Sequence, residues 1–267
     1  MPFDRNDRAL FDRSADEYDE VRPGYPQSLI DELLLSCGIP DNGAILEIGC
    51  GTGQLTVPLA TRGYAMTAVE LGGNLSLLAK KNLKPFPNVA VVCADFERWD
   101  VEAGAYDLVV SAQAFHWIEP SIGYSKAHRA LRGHGHLALI WNLFPGCNAP
   151  VHRALDEAYR AYAPQLCTAP GRRPMEERVE RTMRGIRASG LFFEPDVFQH
   201  SWTASYATAD YLKLLLTFSD HLALDPSDLD RLTAAVRSAI DRFGGTIERP
   251  MISTLFLTRS RDDIPAR

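Results

Sequence analysis

Apolar runs and amphipathic stretches alternate along the first half of the chain. Runs of strand length occur near residues 44–48, 65–70, 89–93, 107–110 and 135–141. Stretches with a helical pattern lie near residues 29–34, 54–62, 73–83 and 119–132. Such alternation is typical of a parallel sheet with helices on both faces. We therefore expect an α/β fold with a doubly wound sheet.

The pattern changes after Asn142. Helices are predicted in two stretches of residues 143–190 and again at 207–219 and 226–243. The last of these has apolar residues at spacings of 3, 4, 4 and 3, the signature of an amphipathic helix. Two more strands are predicted at residues 197–204 and 251–258.

These changes divide the chain into four parts. Two prolines and a glycine within residues 21–26 exclude a helix there. The predicted parts are an N-terminal lid segment with the first helix (1–40), a ligand-binding core (41–142), a helical cap with a sixth strand (143–250) and a last strand with a tail (251–267).

The first apolar run leads into a turn of alternating glycines, Gly49, Gly51 and Gly53. Glycine tolerates positive φ and has no Cβ, so a ligand can touch this backbone. Gln54 stands where the G-x-G-x-x-G dinucleotide motif has its last glycine. Glu47, just before the turn, would repel a pyrophosphate but suits an ammonium group. The turn therefore favours an adenosine ligand with a cationic amino-acid tail.

Residues 45–53, Ile-Leu-Glu-Ile-Gly-Cys-Gly-Thr-Gly, resemble the glycine-rich motif of class I S-adenosylmethionine-dependent methyltransferases. The segments at 11–26 and 112–117 resemble the type-11 group, which includes trans-aconitate methyltransferases. The resemblance implies S-adenosyl-L-methionine as the cofactor. It also implies a Rossmann-like, seven-stranded, mostly parallel sheet with an antiparallel last strand and a helical cap over the acceptor pocket.

Acids at the ends of the next two strands fit the same ligand. Glu70 follows Gly49 by 21 positions, close to the spacing at which an acid meets a ribose in the dinucleotide fold. The resemblance assigns Asp95 to the adenine amino group, and Phe96 either covers the adenine ring or is an ordinary core residue. The candidate cofactor-binding residues are Tyr18, Arg22, Glu47, Gly49, Gly51, Gly53, Glu70, Leu71, Asp95, Phe96, Ser111 and Gln113.

His116 is the candidate catalytic residue, since it follows the fourth strand where donor and acceptor would meet. A hydroxyl or amine acceptor benefits from a base, whereas a carboxylate requires none. A structural histidine bonded to a loop carbonyl is the alternative. Tyr18 and Arg22 contact the carboxylate end of the donor, or the acceptor, or belong to a surface lid without contact. The methionine carboxylate requires a cationic or amide partner, which favours a contact for Arg22.

Composition and charge limit the classes of binding partner that we expect for this chain. The formal net charge is −6 and no long basic run occurs, so we do not expect nucleic acid as a partner. The arginines at 172–187 alternate with glutamates, which is typical of a solvated helix face. Five cysteines without metal-type spacing suggest small buried hydrophobes of a reducing cytoplasm, with neither disulfides nor a metal site. We expect no signal peptide and no membrane span.

The sequence thus predicts a cytoplasmic methyltransferase acting on a small molecule, by O-methylation of a carboxylate or hydroxyl. A non-catalytic S-adenosylmethionine-binding module is the first alternative, because this chemistry has no obligatory catalytic residue. A nicotinamide-dependent oxidoreductase is disfavoured by Gln54 and Glu47. A nucleic-acid methyltransferase is disfavoured by Ser-Ala-Gln-Ala at 111–114, where those enzymes carry Asn/Asp-Pro-Pro-Tyr/Phe.

Overall fold

A computed structural model describes residues 12–167 and 174–261. Residue 11 of the resembling N-terminal segment, residues 171–173 of the arginine-rich stretch and the tail beyond 261 lie outside the described residues. One sheet holds seven strands in the order β3-β2-β1-β4-β5-β7-β6. The strands are β1 (Ala44–Ile48), β2 (Ala65–Glu70), β3 (Val89–Cys93), β4 (Tyr106–Ala112), β5 (Leu131–Leu143), β6 (Asp196–Ala207) and β7 (Thr246–Arg259).

Strand β1 occupies the middle of the parallel part and pairs with β2 on one side and β4 on the other. Strand β7 runs antiparallel to both β5 and β6. The predicted Rossmann-like sheet, mostly parallel with an antiparallel last strand, is confirmed. Because the strand order reverses direction beside β1, the carboxyl ends of β1 and β4 form the crevice in which such sheets bind ligands.

Helices cover both faces of the sheet and extend beyond it after β5. Their bounds are α1 (Ala15–Val21), α2 (Gln27–Cys37), α3 (Thr56–Ala60), α4 (Gly73–Asn82), α5 (Pro120–Ala130), α6 (Pro150–Tyr162), α7 (Pro174–Ser189), α8 (Thr208–Leu215), α9 (Ser219–Leu222) and α10 (Pro226–Arg242).

Alternation along β1 explains how one strand serves two cores. Ile45 packs with Leu29 and Leu33 of α2, while Leu46 and Ile48 pack with apolar residues of α5 and β5. All of these side chains are almost fully buried. A third cluster joins α6, α8 and α10 and includes Val21 at the end of α1. Helix α1 therefore connects the N-terminal segment to the cap.

The cysteines only partly match the prediction of buried hydrophobes. All five are free thiols, and Cys37 and Cys50 are buried. Cys93, the last residue of β3, is exposed, which corrects the prediction for that residue. Its strand lies at the edge of the sheet, so its side chains are less covered. None of the helices in residues 12–167 and 174–261 is long and apolar enough to cross a membrane.

Candidate functional site

The glycine turn after β1 has a backbone that requires glycine. Gly49, Gly51 and Gly53 have φ values of 73°, 59° and 108°. The amide of Gly49 donates to the carbonyl of Val69 at 2.8 Å, which joins the turn to the end of β2. A Cβ added to Gly49 would lie 2.3 Å from the Cβ of Ala114, so the next loop packs directly against this backbone.

The carboxylate of Glu70 holds this turn in place. One oxygen accepts from the amide of Gly51 and the other from the amide of Gly72, both at 2.9 Å. Burial raises the pKa of Glu70, and the two amide donors act in the opposite direction. Each carboxylate oxygen has a second lone pair available for a ligand hydroxyl. Glu70 can thus order the turn and accept ligand hydrogen bonds with the same group.

The ends of strands β1 to β4 converge on one cavity of about 310 Å³, within the range of small-molecule pockets. Ten predicted site residues line it: Tyr18, Arg22, Gly49, Gly51, Glu70, Leu71, Asp95, Phe96, Gln113 and His116. Gln113 has a φ of 60°, unusual for a non-glycine residue, so the loop after β4 is held in a strained conformation at the cavity wall.

Ser111 and Gly53 do not line this cavity. Ser111 is fully buried, and its hydroxyl donates to the carbonyl of Ile48 at 2.8 Å, which ties β4 to β1. The amide of Gly53 donates to the carbonyl of Cys50 at 3.0 Å and closes the glycine turn. Both residues shape the crevice from behind, because the alternation of β4 turns Ser111 into the core.

Glu47 lines a small adjoining cavity of about 30 Å³. Tyr18, Arg22 and Gln113 line both cavities, so the two adjoin at the glycine turn. Burial raises the pKa of Glu47 to about 8. Its Oε2 atom is buried and has no hydrogen-bond partner among the described residues. A cationic ligand group beside Glu47 would satisfy this oxygen.

Helix α1 covers the glycine turn. A Cβ added to Gly51 would lie 3.2 Å from Cε1 of Tyr18, so the tyrosine ring rests on the turn. The guanidinium of Arg22 lies 4.9 Å from the centre of that ring. Arg22 Nε donates to the hydroxyl of Thr217 at 2.8 Å, and an Nη atom donates to the Thr217 carbonyl. Arg22 therefore connects the turn region to the cap.

Asp95 and Phe96 form the wall below β3. The Oδ1 atom of Asp95 accepts from the amide of Glu97 at 3.0 Å, which orients the carboxylate at the strand end. Phe96 is almost fully buried, and Nζ of Lys126 lies 5.3 Å from the centre of its ring. Phe96 thus belongs to the core and the cavity wall at once.

Comparison with known proteins agrees with this geometry. Residues 46–139, which contain the glycine turn and all three strand-end acids, match the family described as "Methyltransferase domain". This match covers 94 of the 267 residues, so over that segment the chain is similar to methyltransferases.

Curated relatives match this chain over part of its length. An uncharacterized methyltransferase of Mycobacterium tuberculosis (strain ATCC 25618 / H37Rv) is 32% identical over 53% of this chain and 56% of its own length. A malonyl-[acyl-carrier protein] O-methyltransferase from Paenibacillus sp. (strain JDR-2) is 33% identical over 60% of this chain and 59% of its own. The chain thus spans little more than half the length of the curated relatives it matches.

Two solved structures show the same fold at low sequence identity. A protein from Anaeromyxobacter dehalogenans, described as a type II methyltransferase, superposes with a TM-score of 0.63 at 20% identity, covering 90% of this chain and 97% of its own. A Haemonchus contortus phosphoethanolamine N-methyltransferase 2 gives 0.54 at 16% identity, covering 94% and 57%. The latter was solved in complex with S-adenosyl-L-methionine.

His116 lies in the methyltransferase domain but in an environment that disfavours the protonated ring. Burial, with help from the charges of Arg178 and Arg181, lowers the pKa of His116 to about 3. The imidazole lies between two tryptophans, with ring centres 4.8 Å from Trp117 and 5.2 Å from Trp141. General bases work best with a pKa near the operating pH, so these surroundings weaken the predicted base role.

Four cavity-lining residues on the C-terminal side of the matched domain were missed by the sequence analysis. They are Arg178 of α7 together with Phe218, Ser219 and Asp220 at the start of α9. Arg178 was predicted on a solvated helix face. Its guanidinium instead lies 4.7 Å from the ring centre of Trp141, and burial lowers its pKa to about 10, which leaves it charged at neutral pH.

One signal could have located Arg178. Thr182 and Ile186, at four and eight positions further along α7, are both buried. Residues four apart share a helix face, so Arg178 belongs to the inward stripe of α7. No comparable local pattern marks Phe218 and Asp220. They reach the cavity because the segment just before α9 lies against Arg22 at the end of α1. Among the described residues, no group of three or more His, Cys, Asp or Glu could hold a metal.

Proposed function

We propose that this chain transfers the methyl group of S-adenosyl-L-methionine to an oxygen atom of a small-molecule carboxylate. One observation supports the proposal above all others. The glycine turn, Glu70, Asp95 and the loop from Gln113 to Trp117 line one cavity, and the cationic side chain of Arg178 from the cap lies in the same wall.

The residues present fit the cofactor part by part. Asp95 and Phe96 suit the adenine, Glu70 suits the ribose hydroxyls, and Glu47 suits the ammonium group in the small adjoining cavity. Arg22 lies where it can meet the methionine carboxylate. When bound, the cofactor supplies a methyl group on a sulfonium, which is already activated for transfer. The protein must then orient the acceptor and exclude water.

Two features favour a carboxylate acceptor over a hydroxyl. A hydroxyl acceptor benefits from a base, and His116 with a pKa near 3 is a weak one. A carboxylate is already a nucleophile and is attracted by the charge of Arg178 in the cavity wall. The Paenibacillus relative, named for O-methylation of malonyl-[acyl-carrier protein], agrees with oxygen as the accepting atom.

Arg178→Gln tests the acceptor assignment. With S-adenosylmethionine labelled in its methyl group, purified protein and a panel of carboxylic acids, we expect the variant to raise KM for the acid at least tenfold. Its affinity for S-adenosylhomocysteine should be unchanged. Arg184→Gln, on the exposed face of the same helix, is the matched control and should behave like wild type.

Two results would contradict the carboxylate assignment. One is methyl transfer to phenols but to no acid, together with loss in His116→Asn of both this transfer and the pH dependence of its rate. The other is an Arg178→Gln protein with wild-type KM. The second candidate function is a non-catalytic binding module. A protein that binds the cofactor but methylates no acceptor in the same assay would support it.

A further inference from the structure

A second cavity of about 470 Å³ lies in the cap beside the first. Its walls come from α6, α8, α9 and the first part of β7. Phe218 and Asp220 line both cavities, so they stand at the boundary between the two. The cavity proposed for methyl transfer therefore has a neighbour large enough to receive another part of the same ligand.

Arg249 sets the chemistry of this second cavity. Its guanidinium lies 4.8 Å from the ring centre of Phe144 and 5.8 Å from that of Phe218. Within residues 12–167 and 174–261 it makes no hydrogen bond and no ion pair. The planar fork of N–H donors on an arginine matches a carboxylate or a phosphate, and here that fork is available.

The other charged residues of the cavity do not cancel Arg249. Asp156 and Arg160 are exposed and carry opposite charges one turn apart on α6. Asp220 is also exposed and accepts a hydrogen bond from Nδ1 of His221 at 2.7 Å. Arg249 is only half-exposed, between two phenyl rings. The least solvated charge in the wall is therefore positive.

A second guanidinium approaches the same phenyl ring. Arg22 lies 4.5 Å from the ring centre of Phe218. Burial lowers the pKa of Arg22, and the nearby charge of Arg249 lowers it further. Like charges that are partly removed from water repel each other, and an anion placed beside Arg249 would offset that repulsion.

We propose that the second cavity binds a carboxylate or phosphate group of the acceptor, at the end remote from the methylated atom, with Arg249 as its partner. The inference rests on the proposed function, which defines the acceptor. The acceptor is then an elongated molecule with two anionic groups. One lies near Arg178 in the first cavity, and the other reaches Arg249 past Phe218.

Calorimetry with short acids tests the proposal. Adipate and 6-phosphonohexanoate carry a second anionic group, of carboxylate and phosphonate type, whereas hexanoate carries one. Into protein saturated with S-adenosylhomocysteine, we expect at least one of the dianions to bind ten times more tightly than hexanoate. The stronger of the two identifies the group that the second cavity prefers.

Variants of Arg249 assign the effect to this residue. Arg249→Gln should reduce the preference to twofold or less, and Arg249→Lys should keep part of it. Arg237→Gln, an exposed residue on α10, should leave it intact. Equal binding of all three acids to wild type, or an unchanged preference in Arg249→Gln, would overturn the inference.

Failure of the proposed function has a different signature, which is absence of heat with S-adenosylhomocysteine. In that case the three acids are titrated into protein without S-adenosylhomocysteine, and the same comparisons of affinity decide the inference.

Discussion

Glu70 is a single side chain that orders the glycine turn and lines the proposed cofactor site. Its carboxylate accepts from the backbone amides of Gly51 and Gly72, so the acid is part of the turn before any ligand arrives. The two backbone amides fix the position of this carboxylate and favour its charged form, against the effect of burial, which raises its pKa. The sequence identified Glu70 by its place at a strand end, but not this second task.

Glu70→Gln should weaken binding of S-adenosylhomocysteine at least tenfold, or about 1.4 kcal/mol, because charge-assisted bonds to the ribose are lost. The amide oxygen of glutamine preserves one acceptor for the turn, so the variant should stay folded. Calorimetry and thermal unfolding measure the two effects separately. Glu102→Gln, at an exposed loop position, is the control. Unchanged affinity in a folded Glu70→Gln protein would refute the ribose role.

Glu47 should give a proton-linked signature of cofactor binding. Its pKa near 8 means that the carboxyl is mostly protonated in the free protein at pH 7. An ammonium group beside it favours the ionised form, so binding should lower the pKa and release up to one proton. Calorimetry at pH 7 in buffers with different ionisation enthalpies measures this release.

Glu47→Gln, which cannot ionise, should bind S-adenosylhomocysteine more weakly and release no proton from this position. Proton release that is the same in wild type and in Glu47→Gln would show that Glu47 does not face the ammonium group.

At the scale of elements, the turn between β1 and α3 is the part that tolerates least change. Gly49→Ala places a methyl group against Ala114 at a φ of 73°, so either the turn or the loop after β4 must move. We expect a loss of about 1–3 kcal/mol in the free energy of unfolding and at least a tenfold loss in cofactor affinity.

Gly73→Ala is the matched control for the turn. Gly73 begins α4, has no positive φ, and a Cβ there meets nothing within 4 Å. Alanine should therefore be neutral or slightly stabilising. A Gly49→Ala protein that binds and unfolds like Gly73→Ala would contradict the close packing of turn and loop.

The bounds of an element were predicted best where the local pattern of apolar residues alone determines the element. Strands β2 and β3 have the predicted bounds, since apolar runs between helices have few alternatives. Strand β7 begins earlier than predicted because its first residues, from Thr246, pair with the end of β6, and β5 continues to Leu143, which pairs with Ile252 of β7. Helix α1 was missed, since its residues Ala15–Val21 are mostly polar and gain their order by packing on α4 and α8.

In the candidate site, too, the residues that were predicted are those marked by a local sequence pattern. Acids at strand ends can be predicted from the sequence, because a strand end is a local feature and parallel strands end at one edge of the sheet. Ser111 was placed on the wrong side, since one residue of register decides between core and cavity in a strand. Phe218, Asp220 and Arg249 are far along the chain from the turn, and only the folding of the cap brings them near it.

Across the whole molecule, the core that matches the methyltransferase domain, where we propose that the donor binds, is joined to a cap that carries Arg178 and Arg249. The net charge of −6 is therefore misleading for the pocket, where Arg22, Arg178 and Arg249 are concentrated. Specificity for the acceptor should accordingly follow the cap, while donor affinity should follow residues 46–139.

Titration of the purified chain with S-adenosylhomocysteine tests the central claim most directly. Our account predicts heat of binding to one site per chain, with no comparable heat from NAD, and loss of the signal in Gly49→Ala. No heat with S-adenosylhomocysteine or S-adenosylmethionine, from protein shown to be folded, would contradict it.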